Sequence, residues 1–76
     1  MRKLLEPVCQ ALADQPQQIR VNQLTGTRTE IIEIRCADGD RGKLIGKNGR
    51  TVESLRALAG ALAAKDGRRA VLEVAE

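Results

Sequence analysis

Apolar positions along the chain change period several times, and each change marks an element. Leu5, Val8, Cys9 and Leu12 recur at i, i+3, i+4 and i+7, one stripe of a short helix that ends before Pro16. Pro7 suits that helix in its first turn, where its missing N–H has no intrahelical partner to lose. The period then falls to two in residues 18–24, where Ile19 and Val21 alternate, and in residues 29–36, where Ile32, Ile34 and Cys36 do. Thr25-Gly26-Thr27-Arg28 between them is short and carries a glycine, so the pair predicts an antiparallel hairpin. Asp38 or Asp40 next offers an N-cap for a brief helix through Leu44 and Ile45. Val52, Leu55, Leu58, Ala59 and Leu62 then predict the longest helix, with Gly67 suited to the turn beyond it. Gly60 lies inside that helix at a cost of ~1 kcal/mol relative to alanine, which implies close packing against another element. Residues 69–75 close the chain as a strand with Ala70, Leu72 and Val74 inward. The order helix, strand, strand, helix, helix, strand predicts an α+β fold, one three-stranded sheet covered on one face by three helices.

Length and composition narrow the functional classes. The 76 residues form one domain, spanning 1–76 with its core at about 3–75, and bury roughly 60% of the unfolded surface. Phe, Tyr and Trp are absent, so the core is aliphatic and no aromatic platform exists for stacking bases. Cys9 and Cys36 are too far apart for a C-x-x-C motif, and no histidine completes a ligand set, so both read as small core residues and no metal is expected. The N-terminal residues meet acid and proline before any apolar run of signal-peptide length. No stretch approaches the ~20 apolar residues of a membrane span, and the chain reads as cytoplasmic and reduced.

Charge is distributed unevenly. Thirteen Lys and Arg against ten Asp and Glu give a net charge of +3, compatible with nucleic acid without requiring it. Within residues 41–56, however, Arg41, Lys43, Lys47, Arg50 and Arg56 face only one acid, Glu53. Arg2, Lys3, Lys65, Arg68 and Arg69 read as ordinary surface charge, and Arg35 either flanks a groove or is solvated.

That cationic excess surrounds Gly46-Lys47-Asn48-Gly49. Glycine permits positive φ and removes the Cβ that would hold a phosphate away. A helix beginning at the turn points unpaired N–H groups and its positive dipole end at an anion, and Lys47 and Arg50 add charge there. The alternative is a plain helix connector, and a bare G-x-x-G does not exclude it. Competing motifs fail: Gly42 to Gly46 has three intervening residues where a P-loop has four, and Lys47 is followed by Asn48. Ser54 and the two cysteines have no histidine to activate them, so no enzymatic activity, cofactor or small-molecule substrate is expected.

Gly42-Lys43-Leu44-Ile45-Gly46-Lys47-Asn48-Gly49-Arg50-Thr51-Val52, followed by Leu55-Arg56, resembles the signature of a KH domain. The helix-strand-strand prefix is similar to the bacterial type II arrangement, order αββααβ with a mixed sheet, and the length to the small single-KH RNA-binding proteins of the KhpA type. The resemblance implies a loop that clamps the backbone of about four unpaired nucleotides. It implies that Gly46 and Gly49 shape the loop, that Lys47 and Asn48 meet phosphate, and that Arg41, Lys43, Arg50 and Arg56 supply charge. Leu44, Ile45, Val52 and Leu55 are the candidates for an aliphatic groove floor, some of which must point into the core instead. Arg41 stands where an apolar residue would be comfortable, so either its helix frays or Arg41 faces the ligand.

The expected ligand is single-stranded RNA with weak sequence preference. The resemblance also implies a homodimer, or a heterodimer with a second KH-containing protein, and an interaction module is the alternative reading. Its contact surface would be the outer side of the 51–64 helix at Ala57, Leu58 and Ala61. Single-stranded DNA is a third possibility, because a backbone clamp does not need the 2′-OH.

Overall fold

In the computed structural model, which describes residues 1–75, the first apolar stripe forms helix α1 (Arg2–Leu12). Leu5 and Cys9 are fully buried, Val8 is half-buried, and Leu12 stays 39% exposed. The helix starts earlier than its stripe predicts, so Pro7 lies in the second turn rather than the first. One intrahelical bond is therefore missing, and packing of Leu5 and Cys9 on the core carries the helix past it.

Strands β1 (Arg20–Thr25) and β2 (Thr29–Arg35) form the antiparallel hairpin, with Val21 opposite Ile34 and Gln23 opposite Ile32. Gln18 falls in a single 3-10 turn instead, and Cys36 lies just past the strand, half-buried. A brief α2 (Arg41–Ile45) and the long α3 (Arg50–Ala64) follow, and β3 (Arg69–Val74) returns parallel to β2. Sheet order is β1-β2-β3, with β3 at an edge. The inward rows Val21–Ile34–Val74 and Gln23–Ile32–Leu72 cross all three strands. The helices cover this face, and Leu5, Cys9, Leu44, Val52, Leu55 and Ala59 complete the core.

Three expectations are corrected by packing. Helix α3 buries Val52, Leu55, Ala59 and Ala63, while Leu58 and Leu62 stay half-buried, so its line of contact is rotated toward the alanines. Gly60 is not a close-packing site, since a Cβ there would meet nothing within 4 Å. Arg68 is not ordinary surface charge: its Nε donates to the Gly26 carbonyl at 3.1 Å and its guanidinium lies 3.5 Å from Glu30. Glu30 is buried at the end of the inward face, where Gln23 Nε2 and Thr25 Oγ1 each donate to it at 2.9 Å.

Asp40 also departs from the capping role. It occupies the N-cap position of α2 but makes no side-chain cap bond. Its buried carboxylate instead accepts the Asp14 N–H at 3.0 Å and the Gln15 N–H at 2.9 Å. Those amides leave the end of α1, so one carboxylate ties that end to the start of α2. The two backbone donors hold its pKa below the ordinary aspartate value.

A depressed carboxylate contributes stability that is complete above the unfolded-state pKa of about 3.9 and is lost as pH falls through the lower folded-state value. Asp40→Asn should therefore unfold at lower urea concentration than wild type at pH 7, with the gap narrowing toward pH 3. Circular dichroism against urea at both pH values measures it, and an equal gap at both would contradict the assignment.

Candidate nucleic-acid interface

Between α2 and α3 the backbone takes conformations that few residues accept. Gly46 has φ 79° and ψ 168°, a region essentially restricted to glycine. A Cβ there would also sit 2.2 Å from Thr51 Oγ1 and 2.6 Å from Thr51 Cβ, so Gly46 is required twice over. Asn48 is left-handed at φ 58° and ψ 26°, which asparagine tolerates better than most residues. Gly49 has φ 75° and ψ 12° with open space around it, so only its conformation demands glycine. The Gly49 N–H donates to the Gly46 carbonyl at 3.1 Å, closing the turn.

Gly49 is the N-cap of α3 and has no side chain with which to cap it. The first N–H groups of α3 thus lack a side-chain acceptor, beside exposed Lys47, Asn48 and Arg50. This concentrates donors and positive potential at one turn. Glu53, also in the first turn of α3, opposes it in part.

A groove of about 560 Å³ opens where α2 and α3 meet the edge of β3. Ile45, Val74 and Ala75 give it apolar surface, and Arg35, Arg41, Arg56, Glu33 and Glu73 give it charge. At Arg41 α2 begins regularly rather than fraying, and the side chain lines the groove with its Nε buried and without a hydrogen-bond partner. The Arg56 Nε donates to the Leu72 carbonyl at 3.1 Å, fastening α3 to the β3 edge. Arg35 flanks the groove while pairing with Glu33 at 2.9 Å.

The four aliphatic candidates divide. Leu44, Val52 and Leu55 are no more than 5% exposed and belong to the core, because α2 and α3 turn those faces onto the sheet. Ile45 alone remains half-exposed at the groove. Lys43 is exposed but paired with Asp14, whose hydrogen bond raises the lysine pKa. Reading the sequence missed Glu33, Glu73, Val74 and Ala75 as groove residues. The signal for the two acids was available, since they stand at outward positions of the alternating strands. Among the described residues no cluster of three or more His, Cys, Asp or Glu could hold a metal, and no helix is long and apolar enough to cross a membrane.

A βααβ core with a glycine turn between its helices, preceded by a helix and a strand, defines a KH domain of the type II arrangement. The chain belongs to the KhpA/KhpB KH-domain family, whose model matches residues 2–74. It is 38% identical over 74 residues to the RNA-binding protein KhpA of Clostridium acetobutylicum, covering 97% of this chain and 99% of that one. It is 37% identical to KhpA of Chlamydia trachomatis, across 100% of this chain and 97% of the relative. The KhpA of Aquifex aeolicus is 36% identical over 76 residues, 100% of this chain and 96% of that protein. No solved structure matches the chain.

Because Gly46 is constrained by both torsion and contact, Gly46→Ala should cost about 3 kcal/mol or more. Gly49→Ala, which meets only the left-handed penalty, should cost about 1 kcal/mol. Urea unfolding of the two variants gives the ranking, and equal losses would contradict the steric role of Thr51.

Proposed function

We propose that this chain is a non-catalytic RNA-binding module of the cytoplasm, holding a short single-stranded segment beside the Gly46–Gly49 loop with weak sequence preference. It would serve RNA metabolism or post-transcriptional regulation. The observation that carries this reading is the loop itself: a glycine-only backbone conformation at Gly46 leading to an α3 N-terminus without a side-chain cap, flanked by exposed Lys47 and Arg50. The naming of the curated KhpA relatives as RNA-binding proteins supports it.

Phosphate oxygens accept from N–H groups at the start of α3, which no side chain caps, while Lys47, Asn48 and Arg50 supply side-chain donors and charge. Bases then lie toward Ile45, Val74 and Ala75, with Arg41 and Arg56 at the sides. With no ring to stack on, the grip falls mainly on the backbone. Three phosphate contacts give a salt slope of roughly −2 in log K per log salt.

Lys47→Asp with Asn48→Asp, folded by circular dichroism, should weaken binding of a short single-stranded RNA by about tenfold or more. Unchanged affinity in the folded double variant would remove the loop from the mechanism. Equal binding of DNA and RNA oligomers would identify a clamp indifferent to the 2′-OH.

Association with a second copy, or with another KH protein, is a second reading favoured by one observation. Leu24, Ile31 and Val71 form a cross-strand row on the open face of the sheet, exposed by 67%, 47% and 45%. The outer side of α3 offers less, since Ala57 and Ala61 are small and Leu58 is half-buried. Sedimentation at about 50 µM checks it: a species heavier than the monomer that Ile31→Asp abolishes is expected, and a strict monomer would exclude self-association.

A further inference from the structure

The end of the molecule remote from the loop gathers three segments that are distant in sequence. The Arg69 N–H donates to the Arg28 carbonyl at 2.8 Å, joining the start of β3 to the hairpin turn. Arg68 Nε bonds the Gly26 carbonyl in that same turn. The Arg2 N–H donates to Gln23 Oε1 at 3.2 Å, and Gln23 bonds Glu30, which brings in the start of α1. The exposed side chains of Arg2, Lys3, Arg28, Lys65 and Arg69 therefore share one pole.

Its acids are already engaged. Glu30 accepts from Gln23 and Thr25 and faces Arg68 at 3.5 Å, and Asp66 lies 3.9 Å from the same guanidinium. Arg68 thus faces both carboxylates, one cation against two acids, which leaves the five other cations in excess at this pole. Among the described residues no ion pair engages the other five cations. The groove differs, since there Arg35 is paired with Glu33 and Lys43 beyond it with Asp14.

The pole also lies on a line from the loop. Helix α3 separates them by 15 residues, about 22 Å, and β3 runs back alongside it with Arg56 held against its edge. At physiological ionic strength the screening length is about 8 Å. The pole therefore cannot assist a short ligand at the loop through space, and only a longer strand would feel it, by contact.

We propose that Arg2, Lys3, Arg28, Lys65 and Arg69 form a second docking site for RNA backbone phosphates, reached by a strand that leaves the Gly46–Gly49 loop along the edge of β3. This rests on the RNA reading of the loop and extends it from one clamp to a track with two charged ends. The ligand it takes is an RNA segment longer than the loop alone can hold.

Fluorescence anisotropy with oligouridines of four and twelve nucleotides tests it, after dividing out the number of four-nucleotide registers on each. Wild type should bind the longer oligomer about tenfold tighter per register, with a salt slope steeper by about 2 for three added contacts. The triple variant Arg28→Glu, Lys65→Glu, Arg69→Glu, folded by circular dichroism, should lose that gain and keep its four-nucleotide affinity. A gain that survives in the triple variant overturns the second site while leaving the loop clamp standing. Failure of wild type to bind either oligomer sinks the RNA reading itself. Capture of phosphatidylserine vesicles by wild type, with no length gain on RNA, would reassign the pole to a membrane surface and overturn the proposal.

Discussion

Strand β3 lies parallel to β2, and a parallel partner cannot be reached by a tight turn. The chain must leave the carboxyl end of β2, cross one face of the sheet and re-enter at the opposite end. Everything between Cys36 and Arg68 is that crossover, built as α2, a glycine turn and α3. The turn therefore sits beyond the carboxyl ends of β2 and β3, where open crevices occur in sheets with such crossovers. Arg41 and Ile45 on α2 meet Val74 and Ala75 across that crevice. The same crossover delivers the carboxyl end of α3 next to the hairpin turn, which creates the second pole.

Polar groups inside this small molecule act as ties between segments. Asp40 holds the end of α1 to the start of α2, and Glu30 with Arg68 holds the hairpin turn to the α3–β3 connection. Each is buried with several partners, the condition under which burial of a charge is tolerated. With no aromatic side chain to span the gaps between elements, an aliphatic core of Leu, Ile and Val is supplemented by these ties. They also set where charge is left over: Arg68 is occupied by acids, whereas among the described residues its basic neighbours make no ion pair.

How much was legible depended on the range of the interaction. Element order, the hairpin, the three-on-one-face layering and the glycine turn followed from periodicity and glycine placement, which are local. Gly46 and Gly49 were readable because a turn between helices needs positive φ. Ile45 could not be separated from Leu44, Val52 and Leu55, since all four are aliphatic neighbours of the loop and only docking onto the sheet decides which faces inward. Helix α3 likewise presented more apolar positions than one stripe needs, and packing chose Ala59 and Ala63 over Leu58 and Leu62.

By itself the sequence determined the α+β class, the succession of elements, an aliphatic core and a cationic glycine loop, because each rests on contacts within a few residues. Tertiary structure decided the parallel placement of β3, the partners of Asp40 and Arg68, and the exposure of each residue near the loop. The physical reason is separation along the chain: Asp40 meets amides 25 and 26 residues away and Arg68 a carbonyl 42 residues away. No local pattern encodes such pairs. The glycines and the charge of the loop were thus readable before folding, whereas the groove beside it and the basic pole 15 helical residues away exist only once the crossover has closed.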